Sequence, residues 1–251
     1  MKNLIVANWK NNPASLHEAK KLFGEVKNGL GKTNAEVVIC PPFVFLAELK
    51  GLTLGAQNVF YEEKGAFTGE VSAEMLKSLG VEFAIIGHSE VRNPLTGGGE
   101  TDKIINKKIK EALSAGLKVI LCVGESTEER SAGKTKEVLE RELKIGLNGV
   151  SNLENLNVAY EPIWAISDGD PYKTKELPSP EKTKEISLYI RRLLTELYNL
   201  EIAEKVRILY GGSANAENSE SYLKDAGIQG LLVGGASLDA EEFVKIVKSA
   251  E

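Results

Sequence analysis

A cation, an imidazole and a carboxylate each stand just past a short apolar run in this chain: Lys10 after LIVANW, His88 after VEFAIIG and Glu161 after LNVAY. Two glycine pairs are placed the same way, Gly211–Gly212 after VRILY and Gly234–Gly235 after GLLV. A carboxylate held at a strand end and partly shielded from water suits a general base. A neutral imidazole can donate a hydrogen bond to a carbonyl, and bare backbone N–H groups bind anions. The set fits proton transfer on a small phosphorylated substrate.

Each residue has a plainer reading. Glu161 is followed by Pro162, which lacks an N–H and fixes its own backbone; otherwise it is a solvated loop glutamate. His88 is one of two histidines, and the other, His17 in SLHEAKKLFGEV, reads as a surface residue. His88 precedes Ser89-Glu90, which can open a helical turn, and a helix N-terminus disfavours imidazolium, so the ring is expected neutral. A buried structural histidine is the alternative. Lys10 alone is compatible with an ordinary exposed lysine. Either glycine pair could be a mere turn, but two such pairs, in YGGS and VGGAS, end adjacent strand-like runs where barrels often bind phosphate.

Bringing these residues to one place is the task of the surrounding elements. Short, nearly continuous apolar runs predict strands at Leu4–Trp9, Glu36–Cys40, Leu52–Gln57, Phe83–Gly87, Lys118–Val123, Asn157–Glu161, Arg207–Tyr210 and Gly230–Val233. Amphipathic helices are expected between them, among them Ser15–Leu30, Ser72–Leu79, Asp102–Ala115, Lys134–Leu147, Pro180–Leu200 and Ala240–Ser249. Strand and helix alternate throughout, which gives an α/β class with a parallel sheet, and eight units in 251 residues favour closure into a barrel. No proline- or serine-rich linker divides the chain, so residues 1–251 read as one domain. Two connections stand out: Asn93–Glu100 is rich in breakers, and Ile166–Pro180 is long and polar.

Composition narrows the partners. The chain is 42 % hydrophobic and 27 % charged with a net charge of −5, and it has no basic tract to neutralise phosphates in series. Nucleic acid is therefore not the expected partner. No run approaches membrane-spanning length, and the apolar stretch in MKNLIVANWK is too short for a signal peptide. A cytoplasmic protein with no membrane partner is expected. Cys40 and Cys122 each end an apolar run without metal-ligand spacing and read as reduced core thiols.

The residues resemble the triosephosphate isomerase family over essentially the whole chain. The segments that carry the resemblance are ANWKNN (Ala7–Asn12), GAQNVFYEEKGAFTGEVS (Gly55–Ser72), IIGHSE (Ile85–Glu90), CVGES (Cys122–Ser126), AYEPIWAI (Ala159–Ile166), LYGGSA (Leu209–Ala214) and LLVGGASL (Leu231–Leu238), in the family's order and spacing. The resemblance implies a (β/α)8 TIM barrel and interconversion of dihydroxyacetone phosphate and D-glyceraldehyde 3-phosphate through an enediol(ate), in glycolysis and gluconeogenesis, with no cofactor and no metal. It implies Glu161 as the base, His88 as the neutral electrophile and Lys10 as the cation, with Asn8 orienting the substrate and Glu90 supporting the constellation. Ser213, Gly212, Gly234, Gly235 and the Ser167 backbone would hold the phosphate. It also implies a homodimer built through the loop around Phe60–Val71, with Thr68 near Asn8, Lys10 and His88 of the neighbouring copy.

The chain departs from the family pattern at two places. Val91 stands where the family usually has a first arginine, leaving Arg92 ahead of a lengthened Asn93–Glu100 segment, which could weaken a helix-end salt bridge or reshape a subunit contact. Ser167-Asp168-Gly169-Asp170 replaces the usual Gly-Thr-Gly-Lys of the lid, with Pro171–Pro180 also longer. Two other readings are therefore weighed: a phosphate-binding barrel acting on a different sugar phosphate, and a barrel that binds the ligand without turnover.

Overall fold

The computed structural model describes residues 1–94, 97–166 and 176–251. Eight parallel strands close into a barrel in sequence order: β1 (Leu4–Asn8), β2 (Glu36–Cys40), β3 (Thr53–Ala56), β4 (Phe83–Ile86), β5 (Lys118–Val123), β6 (Leu156–Tyr160), β7 (Arg207–Tyr210) and β8 (Gly230–Val233). β8 returns to β1 with Leu4 opposite Gly230 and Ala7 opposite Val233. The continuous apolar character of the strands follows from burial on both faces. Leu4, Val6, Val38, Phe83, Ile85, Ile120, Ala159, Leu209 and Leu232 fill the barrel interior together with both cysteines. Their neighbours along the strands, such as Ile5, Ala7, Ile39 and Leu121, pack outward against the helices.

The helices are α1 (Leu16–Leu30), α2 (Ala73–Ser78), α3 (Ser89–Arg92), α4 (Asp102–Ser114), α5 (Thr127–Ser131), α6 (Thr135–Gly146), α7 (Pro180–Leu197), α8 (Leu200–Lys205), α9 (Ser219–Asp225) and α10 (Ala240–Lys248). Only a 3-10 helix, Phe43–Glu48, links β2 to β3. Side-chain caps set many of the helix starts: Ser15, Ser72, Thr101 and Ser179 each accept a backbone N–H from the first turn. The expected helix Pro180–Leu200 divides in two. Its first part ends at Tyr198, with φ −129° and ψ −94°, and Asn199 then caps α8 by accepting the Ile202 N–H.

Charge seals the bottom of the barrel, where the strands begin. Arg207 pairs with Glu36 at 2.6 Å and donates to Asn157 Oδ1 at 2.8 Å, and Lys118 reaches the other Glu36 oxygen at 3.1 Å. The opposite rim, where the strands end, carries the residues singled out for chemistry. No described helix is long and apolar enough to cross a membrane.

Candidate active site

A pocket of about 250 Å³ opens on this rim, lined by Asn8, Lys10 and His88 on one side and by Gly211, Gly212, Ser213, Gly234 and Gly235 on the other. Asn8 ends β1, and its Oδ1 accepts the Lys10 N–H at 3.1 Å. Lys10 sits at φ 53°, a left-handed conformation that a lysine adopts only when its surroundings impose it. Gln57 supplies the second restraint: its amide donates to the Lys10 carbonyl at 2.8 Å and to the Cys40 carbonyl at 2.9 Å. The ammonium so aimed pairs with Glu90 Oε1 at 2.7 Å.

His88 is the N-cap of α3, and its ring does the capping. Nδ1 accepts the Glu90 N–H at 3.2 Å. An acceptor nitrogen carries no proton, so the imidazole hydrogen belongs on Nε2. Nε2 lies 3.4 Å from Glu161 Oε1.

Glu161 directly follows β6, and its side chain is almost wholly buried, at 2 % exposure. Its Oε2 accepts the Ser89 N–H at 3.1 Å, within the first turn of α3, whereas Oε1 has no hydrogen-bond partner among the described residues. Gly211 makes room for the side chain, since a Cβ there would stand 2.7 Å from Glu161 Cγ. On the other flank, burial and the nearby Glu161 carboxylate both push the Cys122 thiol well above its usual range, which keeps it protonated.

The segment after Glu161 is held by a second buried carboxylate, Glu125, which sequence reasoning quoted within CVGES without giving it a role. Tyr160 donates its phenol to Glu125 at 3.1 Å and Trp164 its indole N–H at 2.8 Å. The guanidinium of Arg130 lies 3.5 Å from the centre of the Trp164 ring. Ser213 ties the same segment to β7, donating its hydroxyl to the Ala165 carbonyl at 2.7 Å. Ser167 and the remainder of the expected lid, through residue 175, lie outside the described residues.

Arg92 is fully engaged despite the lengthened loop after it. It pairs with Asp102 at 2.6 Å and donates to the carbonyls of Gly87 at 2.8 Å and Cys122 at 3.0 Å, so the helix-end salt bridge is present. Gln57, Glu125 and the Ser89 N–H were the contributors not singled out from sequence. Gln57 and Glu125 both lie inside motifs that were noticed, which was the available signal. Among the described residues no group of three or more His, Cys, Asp or Glu could hold a metal ion. The rim thus brings together a buried carboxylate, an imidazole, an ammonium and a pocket wall of glycine backbone.

The model of the family described as triosephosphate isomerase matches residues 3–250. The triosephosphate isomerase of Alkaliphilus oremlandii is 45 % identical over 254 residues, covering 98 % of each chain. That of Aquifex aeolicus is 44 % identical over 256 residues, covering 99 % of this chain and all of the relative. That of Dictyoglomus thermophilum is 43 % identical over 256 residues, covering 99 % of both.

Proposed function

The chain belongs to the triosephosphate isomerase family and interconverts dihydroxyacetone phosphate and D-glyceraldehyde 3-phosphate, a step of glycolysis, and we propose that Glu161, His88 and Lys10 carry the chemistry. Glu161 takes the proton from C1 of dihydroxyacetone phosphate. The electron pair of that C–H bond forms the C1–C2 double bond, and the carbonyl π pair moves onto oxygen. His88 donates from Nε2 to that oxygen, and the Lys10 ammonium stabilises the negative charge that develops there. The hydroxyl proton of O1 then passes to O2 by way of His88 Nε2. The O1–H pair closes the C1=O bond while the C1–C2 π pair takes the proton back from Glu161 at C2, which gives the aldehyde with no group gained or lost. No cofactor or metal has a part in this scheme.

The observation that carries this reading is the facing pair, His88 Nε2 and Glu161 Oε1 at 3.4 Å, beside a glycine-lined pocket. That gap is too narrow for a substrate carbon, so Glu161 must leave the Ser89 N–H and swing toward the pocket as substrate enters. Ser213 and the backbone of Gly212, Gly234 and Gly235 hold the phosphate, and the 3-10 turn Gly235–Leu238 starts on that wall. Asn8 orients the substrate, and Glu90 steadies Lys10.

We further propose a cytoplasmic homodimer. Residues 62–70 are all exposed, and Phe67 leans on Phe60 with ring centres 4.8 Å apart, giving a preformed projection for a second copy. A coupled assay with dihydroxyacetone phosphate tests the activity. Ligand binding without turnover would favour a binding protein, and turnover of another sugar phosphate alone would favour the other barrel reading.

A further inference from the structure

We propose that Glu142 is a positioning residue for the isomerisation, acting through the Val123–Gly124 peptide on the backbone of Glu161. This rests on Glu161 being the base. Glu142 lies on α6, away from the pocket, with its side chain only 4 % exposed. Its Oε2 accepts the Gly124 N–H at 2.9 Å, and its Oε1 faces Arg92 Nη1 at 3.4 Å.

The N–H that Glu142 accepts and the carbonyl that receives the Glu161 N–H belong to the same peptide group. Val123 O accepts from Glu161 N at 2.8 Å. One rigid plane is thus gripped at both ends, by a carboxylate on one side and by the backbone of the base on the other. The contact is tight as well as polar. A Cβ on Gly124 would stand 1.9 Å from the Glu161 carbonyl oxygen, so the two main chains touch without an intervening side chain. A tilt of the Val123–Gly124 plane therefore displaces Glu161 directly.

Arg92 extends the grip to the electrophile. The guanidinium that faces Glu142 also holds the carbonyl of Gly87, the residue before His88, and that of Cys122. Glu142 is thereby joined to the ends of β4 and β5, next to the base, and its polar partners are Gly124, Arg92 and Arg141, not the glycine cradle after β7 and β8. Losing its reach should disturb proton transfer and spare phosphate binding.

The test compares Glu142→Asp, which keeps a carboxyl group but withdraws it by one methylene, with Glu142→Gln, which keeps the reach and an acceptor oxygen. Glu142→Asp is expected to lower kcat about tenfold, as misplacement of a reacting group does. KM for dihydroxyacetone phosphate and the inhibition constant of inorganic phosphate should stay within about twofold, the shift expected when ground-state binding is untouched. Glu142→Gln should recover most of the lost kcat. If the aspartate variant does not fold, Glu142→Met, which fills the space without an acceptor, takes its place with the same expectation.

Unchanged kcat in the variant lacking reach, or a parallel loss of phosphate affinity, overturns the inference. So does a glutamine variant as impaired as the aspartate one. Glu161→Gln is assayed alongside. Near wild-type turnover there would remove the base assignment itself, whereas an inactive Glu161→Gln with an unimpaired Glu142→Asp would remove only the role of Glu142.

Discussion

Glu161 and His88 face each other across 3.4 Å, Oε1 to Nε2, while the second oxygen of Glu161 is held by the Ser89 N–H. Glu161 is held in a buried place beside His88, with one oxygen unpartnered among the described residues. A buried carboxylate oxygen without a donor is unfavourable, so the arrangement favours release when substrate offers better contacts.

Replacing Glu161 with glutamine keeps the shape and an acceptor for the Ser89 N–H but removes the base. Turnover is expected to fall by about 10²–10⁴-fold, the range for loss of a general base. The melting temperature should change little. Near wild-type turnover in a coupled assay would reject Glu161 as the base.

His88 is expected to be a neutral ring protonated on Nε2 at pH 7, because Nδ1 is occupied as the acceptor of the Glu90 N–H. Nitrogen NMR of labelled imidazole reads the tautomer directly. A ring protonated at both nitrogens would contradict the donor role drawn above. Glu90→Ala should leave the tautomer in place, since the contact uses its main chain.

The barrel was legible because its strands are apolar on both faces, and each predicted run overlaps an observed strand, as Lys118–Val123 does without shift. Lys10, His88 and Glu161 were legible for a related reason: polar residues directly after such runs must emerge at one rim. What the sequence concealed was contact through main chain. Ser89 reaches Glu161 across 72 positions with its N–H, which any residue other than proline could supply. Glu142 was hidden differently. In ERELK it reads as part of a solvated helix face, and only the packing of α6 on β5 turns it inward. The split between α7 and α8 was missed because Leu197 and Leu200 continue the apolar pattern across the break at Tyr198 and Asn199.

The proposed homodimer leads to a prediction at Thr68, which is exposed in the single chain. Thr68→Arg should change the stability of an isolated copy by no more than about 0.5 kcal/mol, as for other surface substitutions. Placed against the neighbouring copy's Lys10, the new cation should weaken assembly. Light scattering should show mass shifting toward the monomer, with activity falling in step. A fully active wild-type monomer at assay concentration would reject the dimer.

Glu142 also makes a prediction about stability, opposite in sign to that of a carboxylate stabilised by its partners. Burial pushes it from 4.5 up to about 7, although Arg92 and the Gly124 N–H pull the other way. The neighbouring charges are Arg92, Asp102 and Arg141, with Asp102 adding to the rise and Arg141 opposing it. In the unfolded chain the group loses its proton near the ordinary value, whereas in the folded protein it keeps it to about 7. Across that window the folded state binds more protons, so this group's contribution to stability is present at acid pH and is lost as pH rises through about 7. A shift of this size corresponds to about 3 kcal/mol. Glu142→Gln cannot ionise and escapes the loss. Its stability relative to the wild type, from urea unfolding at successive pH values, should rise by about that amount between pH 5 and pH 8 and then level off. A difference that stays flat would mean that Glu142 is already ionised at pH 5, with Arg92 outweighing burial.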